Sequence, residues 1–325
     1  MCFTYVIMSL QMLGGVIMED SSNKEYEVTK VAWYYYVENL TQQKIADIMG
    51  VSRITVNKML DEARNKGIIQ FNIPLQYLKK IELENELKEK YNLEDVLIIP
   101  TGEEENLKSI LGKAAAIYIE NLLENNSYIN IGYGETLNSL IDNLTKTSEK
   151  SFSIISLTGG VMPYLPYYSN SNNKLSLNLI PAPLFMDNIE AAEKIQQEKS
   201  VQDIFDLSSL ASLSVTGIGE LSEEATIQKT GIVSSMDLKK MKMKGAVADI
   251  LMHFIDKDGN LIQSEYENKL VSTSLEKLGG MKNIIAVAAG DKKVNAIDAS
   301  MKTRIFNRLI TDENTARQLI LKEND

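Results

Sequence analysis

Arg53, Thr55, Asn57 and Lys58 crowd into the stretch that follows Ser52, and all four side chains can exchange hydrogen bonds with base-pair edges. An arginine can bridge the two acceptors of guanine and an asparagine the donor and acceptor of adenine, while threonine and lysine are more versatile partners. Between Ser52 and Lys66 the basic Arg53, Lys58, Arg64 and Lys66 outnumber the acidic Asp61 and Glu62, a local charge of +2 in a chain of formal net charge -10. The local sign suits a phosphate backbone, whereas the chain as a whole, with a pI near 4.9, does not. A second set of residues suits a different ligand. In INIGYGETL, Gly132 and Gly134 end a strand-like run and Thr136 follows at the expected start of a helix. Backbone N–H groups, a helix N-terminus and a hydroxyl at such a turn can cradle an anion or a sugar oxygen. Glu135 would repel a phosphate if it pointed inward, so it is expected to face away or to bind hydroxyls. A tight strand-to-helix turn without a ligand accounts for the same glycines.

Other chemistries are thinly supplied. Cys2 and His253 are the single cysteine and histidine, so neither an intramolecular disulfide nor a Cys/His zinc site can form, and no metal or cofactor is expected. A reducing cytoplasm is the natural compartment for such a chain. His253 follows an apolar run without an evident carboxylate partner and reads as a packed or surface side chain rather than a catalytic base.

The elements that must position the first set lie in LTQQKIADIMGVSRITVNKMLDEARNKGII, residues 40 to 69. Thr41 can cap a short helix whose apolar face is Ile45, Ile48 and Met49. Ala46 is small where a second helix must cross closely, and Gly50 permits a tight turn. Ser52 can cap the second helix, with Val56, Met59, Leu60 and Ala63 facing inward. That is a helix-turn-helix, and its N-terminal half is the part that meets bases in the major groove. The candidate DNA contacts are therefore Thr41, Gln42, Ser52, Arg53, Thr55, Asn57 and Lys58. An ordinary helical hairpin explains the apolar spacing but leaves the turn, the cap and the charge reversal as coincidence. A β-like run, Ile68 to Ile73, precedes Pro74 and completes the size of a winged module.

At 325 residues and 44% hydrophobic content the chain can build two cores. Residues 18–74 form the expected DNA-binding domain, 75–92 a linker helix with Leu83 and Leu87 on one face, and 93–325 the larger domain. Residues 1–17 are apolar, lack a basic n-region, and are shorter than the roughly 20 residues needed to span a bilayer. They are expected to be a non-native or disordered leader with Met18 as the natural start, the alternative being an apolar arm packed in an oligomer. Beyond Val96, runs at 96–100, 128–132, 153–157, 213–217 and 283–290 read as strands alternating with helical segments, KIQQEKSVQDIFDL at 194–207 among them. This predicts an α/β, Rossmann-like domain with a mainly parallel sheet, whose ligands bind beyond the carboxyl ends of the strands. SNSNNKLS, 169–176, reads as a polar loop.

Ordered motifs carry a wider resemblance. The DNA-reading segment, ELKEKYNLEDVLIIP, INIGYGETL, SLTGG, PAPLFMDN, VTGIGE, KGAVADILMHFIDKDG, AAGDKKVNAIDASM and LITDENTA follow one another in the order and spacing of the SorC family of sugar-binding transcriptional regulators. From about Val28 onward the chain resembles that family, whose members join such a helix-turn-helix to an effector domain related to sugar-phosphate isomerases. The resemblance implies that Asp249 binds sugar hydroxyls and that Lys293 helps to form the ligand site. A helix cap is the plain reading of Asp249, and a solvated side chain that of neighbouring Lys292. Lys293 near a helix start opposes the macrodipole, a cost that a bound anion would offset. Thr158 stands where some members carry Arg or Lys, which removes a charge-assisted phosphate contact of about 1.5–3 kcal/mol. Gly159 and Gly160 beside it would let the backbone approach a ligand, while the Thr158 hydroxyl can equally satisfy its own backbone. The expected partners are double-stranded operator DNA, a small sugar, polyol or sugar-phosphate effector, and further copies of the chain in a tetramer. The alternatives are a sugar-phosphate isomerase or deaminase type of enzyme, and a DNA-binding oligomer that has lost its ligand.

Overall fold

A computed structural model describes residues 19–71, 74–160, 175–222, 225–229, 231 and 233–322. The expected leader, residues 1–17, lies outside them. The chain divides into two compact units, Met1–Leu78 and Lys79–Asp325.

The first unit holds α1 (Glu19–Tyr36), α2 (Gln42–Met49) and α3 (Arg53–Asn65). The Thr41 hydroxyl accepts from the Lys44 N–H at 3.3 Å and the Ser52 hydroxyl from the Thr55 N–H at 3.1 Å, so both expected caps form. Gly50 ends α2 at φ 66°, a conformation that costs a glycine little. Val31, Ile45, Ala46, Val56 and Leu60 form one buried cluster, and Val28, Ala32, Ala63 and Ile69 a second. Two expectations are corrected. Ile48 is 51% exposed, because Ile45 and Ala46 turn the buried face of α2 away from it. The β-like run beginning at Ile68 is not a strand over residues 68–71, where buried Ile69 packs instead against Val28, Ala32 and Ala63. Residues 72 and 73 of that run lie outside the described residues.

α4 (Leu75–Tyr91) continues into the second unit and buries Leu83, Leu87 and Tyr91 in its core. The Tyr91 hydroxyl donates to Asp298 Oδ1 at 2.7 Å, so this helix is anchored as well as packed. The strands are β1 (Asp95–Ile99), β2 (Ser127–Ile131), β3 (Phe152–Gly159), β4 (Leu175–Ile180), β5 (Leu213–Thr216), β6 (Gly219–Glu220), β7 (Ala248–Ile250), β8 (His253–Ile255), β9 (Ile284–Val287) and β10 (Arg308–Asp312). Seven of them make a sheet in the order β1-β10-β9-β5-β2-β3-β4 with every pair parallel. β6, β7 and β8 form a separate antiparallel sheet. Alternate residues of the large sheet enter different cores: Ile284, Ala286 and Leu309 join one, and Ile285, Val287 and Ile310 the other. Both faces are thus covered, which is why β9, Ile284–Val287, and all of β1 after Asp95 read as unbroken apolar runs.

The five expected strands are present, and four features differ from expectation. Leu175 and Ser176, assigned to a polar loop, open β4; residues 169–174 of that loop lie outside the described residues. β10 and the small sheet are additional. The segment 194–207, expected as one helix, belongs to two, Ile189–Gln197 and Lys199–Ser208.

Helices α5 (Glu104–Leu122) and α6 (Glu135–Thr147) cross closely at Gly112. A Cβ there would stand 2.6 Å from both Ser139 Cβ and the Thr136 carbonyl oxygen. Gly112→Ala is therefore expected to cost about 1–3 kcal/mol through overpacking, measured as a lower urea midpoint at unchanged slope.

Candidate functional site

The connections of the large sheet leave a gap at one place. From β2 the chain steps outward to β3 and β4, then returns to place β5 on the other side of β2 and proceeds to β9 and β10. Crossovers that diverge from neighbouring strands leave a crevice at their carboxyl ends, where ligands of open α/β sheets bind. A cavity of about 380 Å³ lies there.

Three strand ends supply its wall. After β2 come Gly134, Glu135 and Thr136, which open α6. Gly134 has φ 136°, a backbone region closed to other residue types, and it provides no side-chain cap. After β5 come Thr216 and the segment from Gly217 to Glu220, and after β9 come Gly290, Lys292 and Lys293. Lys293 ends the short turn Asp291–Lys293 and precedes the helix Val294–Lys302, so it does stand at a helix start. Its Nζ donates to the Ile218 carbonyl at 2.7 Å, and burial holds the ammonium below the usual lysine range, partly opposed by the charge of Asp249. The loop that carries it is pinned from behind. The Gly290 N–H donates to the Thr315 hydroxyl at 2.8 Å, and that hydroxyl bonds in turn to buried Asp312.

Asp249 enters the same cavity from β7. It is 4% exposed; Oδ2 accepts from the Met252 N–H at 3.3 Å, and Oδ1 is buried without a hydrogen-bond partner. Burial raises its carboxyl to about 6, with the Met252 bond and Lys293 pulling the other way. Gly219 is glycine for this side chain, since a Cβ would lie 1.7 Å from Asp249 Oδ1. Asp249 therefore caps a hairpin turn rather than a helix. The turn, Leu251-Met252, has φ of 52° and 73° at two residues that disfavour positive φ. Ser272 Oγ donates to the Leu251 carbonyl at 3.0 Å, and the Tyr133 hydroxyl to Met252 Sδ at 3.0 Å. These contacts hold a conformation that costs on the order of 1–3 kcal/mol per residue.

Other expected site residues lie elsewhere. Gly132 is buried beside the cavity, where a Cβ would meet Leu251 Cδ2 at 2.9 Å and Thr216 Oγ1 at 3.0 Å. Thr158, Gly159 and Gly160 do not line this cavity. Thr158 is buried and bridges to Ser272, and a Cβ at Gly159 would stand 2.5 Å from the Pro183 carbonyl oxygen. Gly159 admits residues 182 and 183 of the chain, and the Gly160 N–H donates to the Ala182 carbonyl at 2.8 Å. Glu135 is ion-paired with Lys108, and Lys292 lies 3.3 Å from Glu104 rather than free in solvent. His253 has the carboxylate partner that its sequence context hides: Nδ1 is 2.8 Å from Glu267 Oε1 and Nε2 is 3.0 Å from the Thr273 carbonyl, so the ring ties elements together away from the cavity. Sequence reasoning singled out none of Thr216, Gly219, Glu220 or Leu251. The signal for the first three was VTGIGE, a strand followed by paired glycines like those of INIGYGETL.

In the first unit Arg53, Asn57 and Lys58 are exposed on α3. Gln42 joins them across the turn: Arg53 Nε donates to Gln42 Oε1 at 3.4 Å, and Gln42 Nε2 to Asn57 Oδ1 at 3.3 Å. Thr41 and Ser52 serve as caps, and the Thr55 hydroxyl lies 2.9 Å from that of Ser52. Arg64 and Lys66 are paired with Asp61 and Glu62, so the surplus positive charge sits at Arg53 and Lys58, in the N-terminal half of the helix.

Comparison with known proteins accounts for both units. Residues 76–321 match the model of a sugar-binding domain family. The transcriptional regulator LsrR of an Enterobacter species is 33% identical over 301 residues, 91% of this chain and 93% of that protein. LsrR of Escherichia coli K12 is 32% identical over 310 residues, 94% and 98% of the two chains. The chain belongs to the SorC family of sugar-binding transcriptional regulators. The crystal structure of the full-length sorbitol operon regulator SorC of Klebsiella pneumoniae superposes with TM-score 0.66 at 25% identity, covering 90% of this chain and 97% of that one. A transcriptional regulator from Streptococcus pneumoniae gives 0.67 at 26%, covering 75% and 98%. This SorC-family chain is thus a sugar-responsive transcriptional regulator, with an α/β effector-domain fold and an N-terminal helix-turn-helix. Among the described residues no helix is long and apolar enough to cross a membrane.

The raised Asp249 carboxyl has a measurable consequence in this SorC-family fold. The folded chain holds that proton to about pH 6 and the unfolded chain only to its ordinary 3.8. Through this group the folded protein binds more protons between those values, so the Asp249 contribution to stability falls as pH rises through the interval, against the opposite trend of carboxylates held low by hydrogen bonds and cations, such as Asp298 and Asp95. Urea titrations from pH 4 to 7 are expected to show the stability of the parent falling relative to that of Asp249→Asn as pH rises through this interval.

Proposed function

We propose that the chain is a cytoplasmic regulator of carbohydrate metabolism that binds double-stranded operator DNA through α3 and lets a small sugar, polyol or sugar phosphate in the 380 Å³ cavity change that affinity. Residues 18–74 read DNA, 75–92 link the domains, and 93–325 bind the effector. What carries the reading is the buried, unpartnered Asp249 Oδ1 facing the same cavity as Lys293, at the switch point of the sheet. A carboxylate oxygen out of water and without a donor is costly, and a ligand hydroxyl would satisfy it. Thr136 and the glycine-capped start of α6 suit the ligand's other oxygens, and Lys293 its most negative group.

The chain acts by binding rather than turnover, and a fold shared with enzymes does not argue otherwise. A turnover assay across a sugar-phosphate panel, with no product formed, is the expected result. To act as a switch the ligand must prefer one of two arrangements of the protein, and a tenfold change in operator affinity needs about 1.4 kcal/mol of such preference. Calorimetry of a sugar and sugar-phosphate panel, followed by operator-binding assays with each hit, tests the proposal. Lys293→Ala and Asp249→Ala are expected to weaken the effector by roughly 10-fold or more, the worth of a charged hydrogen bond, while operator affinity without effector stays at the parent value. No ligand response from the panel would favour a DNA-binding oligomer without an effector.

A single α3 spans few base pairs, and symmetric pairing places two of them on half-sites one helical repeat apart. The working form is a homo-tetramer. Light scattering at micromolar concentration is expected to give four chain masses, and a monomer with full operator affinity would overturn this.

A further inference from the structure

Ile54 is 71% exposed at the second position of α3. A lone exposed apolar side chain is ordinary on a protein surface. Its neighbours make this one informative. Val56, Leu60 and Ala63 turn one side of α3 inward, and Ile54, Asn57, Lys58 and Asp61, at i, i+3, i+4 and i+7, share the opposite side. Ile54 therefore stands among the polar side chains of the reading face, flanked by Arg53 and one turn before Asn57. Both of those are tied to Gln42, at 3.4 and 3.3 Å, so the polar surroundings of Ile54 are held in register from α2.

Helix propensity does not explain the residue, because a β-branched side chain at an exposed helix position is a poorer choice than Ala, Glu or Lys. The major groove supplies a reason. Its floor presents hydrogen-bonding atoms at every base pair but only one apolar group, the C5 methyl of thymine. A side chain of hydrocarbon alone can gain nothing from the donors and acceptors there, and gains by covering that methyl. Its χ1 is already restricted in a helix, so little rotamer freedom is lost on contact.

With α3 as the reading helix proposed above, we infer that Ile54 is a specificity-determining residue that recognises a thymine methyl in each half-site and rejects cytosine at that position. The polar neighbours read adjacent bases, and Ile54 reads the absence of anything polar to read.

The experiment starts from duplexes selected by the full-length chain out of a random-sequence library, so no operator need be known in advance. Each thymine of the selected half-site is replaced singly by deoxyuridine, which removes only the methyl, and affinity is measured by fluorescence anisotropy. Deoxyuridine is expected to weaken the parent about fourfold at one thymine, the worth of burying one methyl at about 0.8 kcal/mol. Ile54→Ala should bind the thymine and deoxyuridine duplexes equally at that position, and Ile54→Val should retain part of the discrimination. Matching thermal melting of the parent and Ile54→Ala would exclude a folding defect. Full deoxyuridine sensitivity in Ile54→Ala at every position, or none in the parent, would overturn the assignment. Arg53→Ala and Asn57→Ala separate this failure from that of the reading helix itself. If they alter base preference while Ile54→Ala does not, only the role of Ile54 falls; if all three bind selected and scrambled duplexes as the parent does, α3 is not the reading helix.

Discussion

A parallel sheet covered on both faces can meet a ligand only at the ends of its strands, and this constraint governs the larger unit. Its strands have no solvent-facing side to offer: Ile284 and Ile285, or Leu309 and Ile310, enter opposite cores one residue apart. Functional groups must therefore collect on the loops, and only where diverging crossovers leave the strand ends uncovered. Between β2 and β5 they do so. The rest of the unit supports that opening. Gly112 lets α5 press against the start of α6, and the Asp312–Thr315–Gly290 hydrogen bonds hold the loop that carries Lys293.

The small antiparallel sheet brings in the one group that the large sheet could not supply. Asp249 is buried at a cost, beside a glycine that leaves room for nothing else and above a turn in which Leu251 and Met252 both take positive φ. Stability alone would favour an apolar residue at position 249 and Asn-Gly in the turn. Several unfavourable choices held together by Ser272, Tyr133 and the Met252 N–H mark a place shaped by something other than stability.

The smaller unit divides its labour differently. Helices as short as α2 and α3 are marginal in isolation, so their caps and their packing against α1 carry them. Thr41 and Ser52 hold the helix ends, Ile45, Ala46, Val56 and Leu60 hold the interior, and Asp61 and Glu62 pair with the cations farther along α3. Among the described residues, Arg53 and Asn57 bond to Gln42 and Lys58 stays exposed beside them.

Local physics was legible without coordinates. Caps at Thr41 and Ser52, the turn at Gly50 and five strands follow from short-range rules of helix termination and apolar patterning, so the sequence by itself determined the helix-turn-helix and the α/β class. It also marked Gly134, Thr136 and Lys293, which strand-end position alone brings to one cavity. What depended on contacts between distant segments stayed hidden. Gly159 looks like a ligand-facing glycine until Pro183 is seen against it, and His253 looks unpartnered until Glu267 folds over it. A wing beginning at Ile68 fits the pattern, yet burial of Ile69 against α1 and α3 takes those residues instead. Asp249 reads as a helix cap in one dimension. Only the pairing of β6 with β7 sets it against Gly219 and aims it at the cavity, because side chains far apart in sequence meet through packing and strand register, which no local pattern encodes.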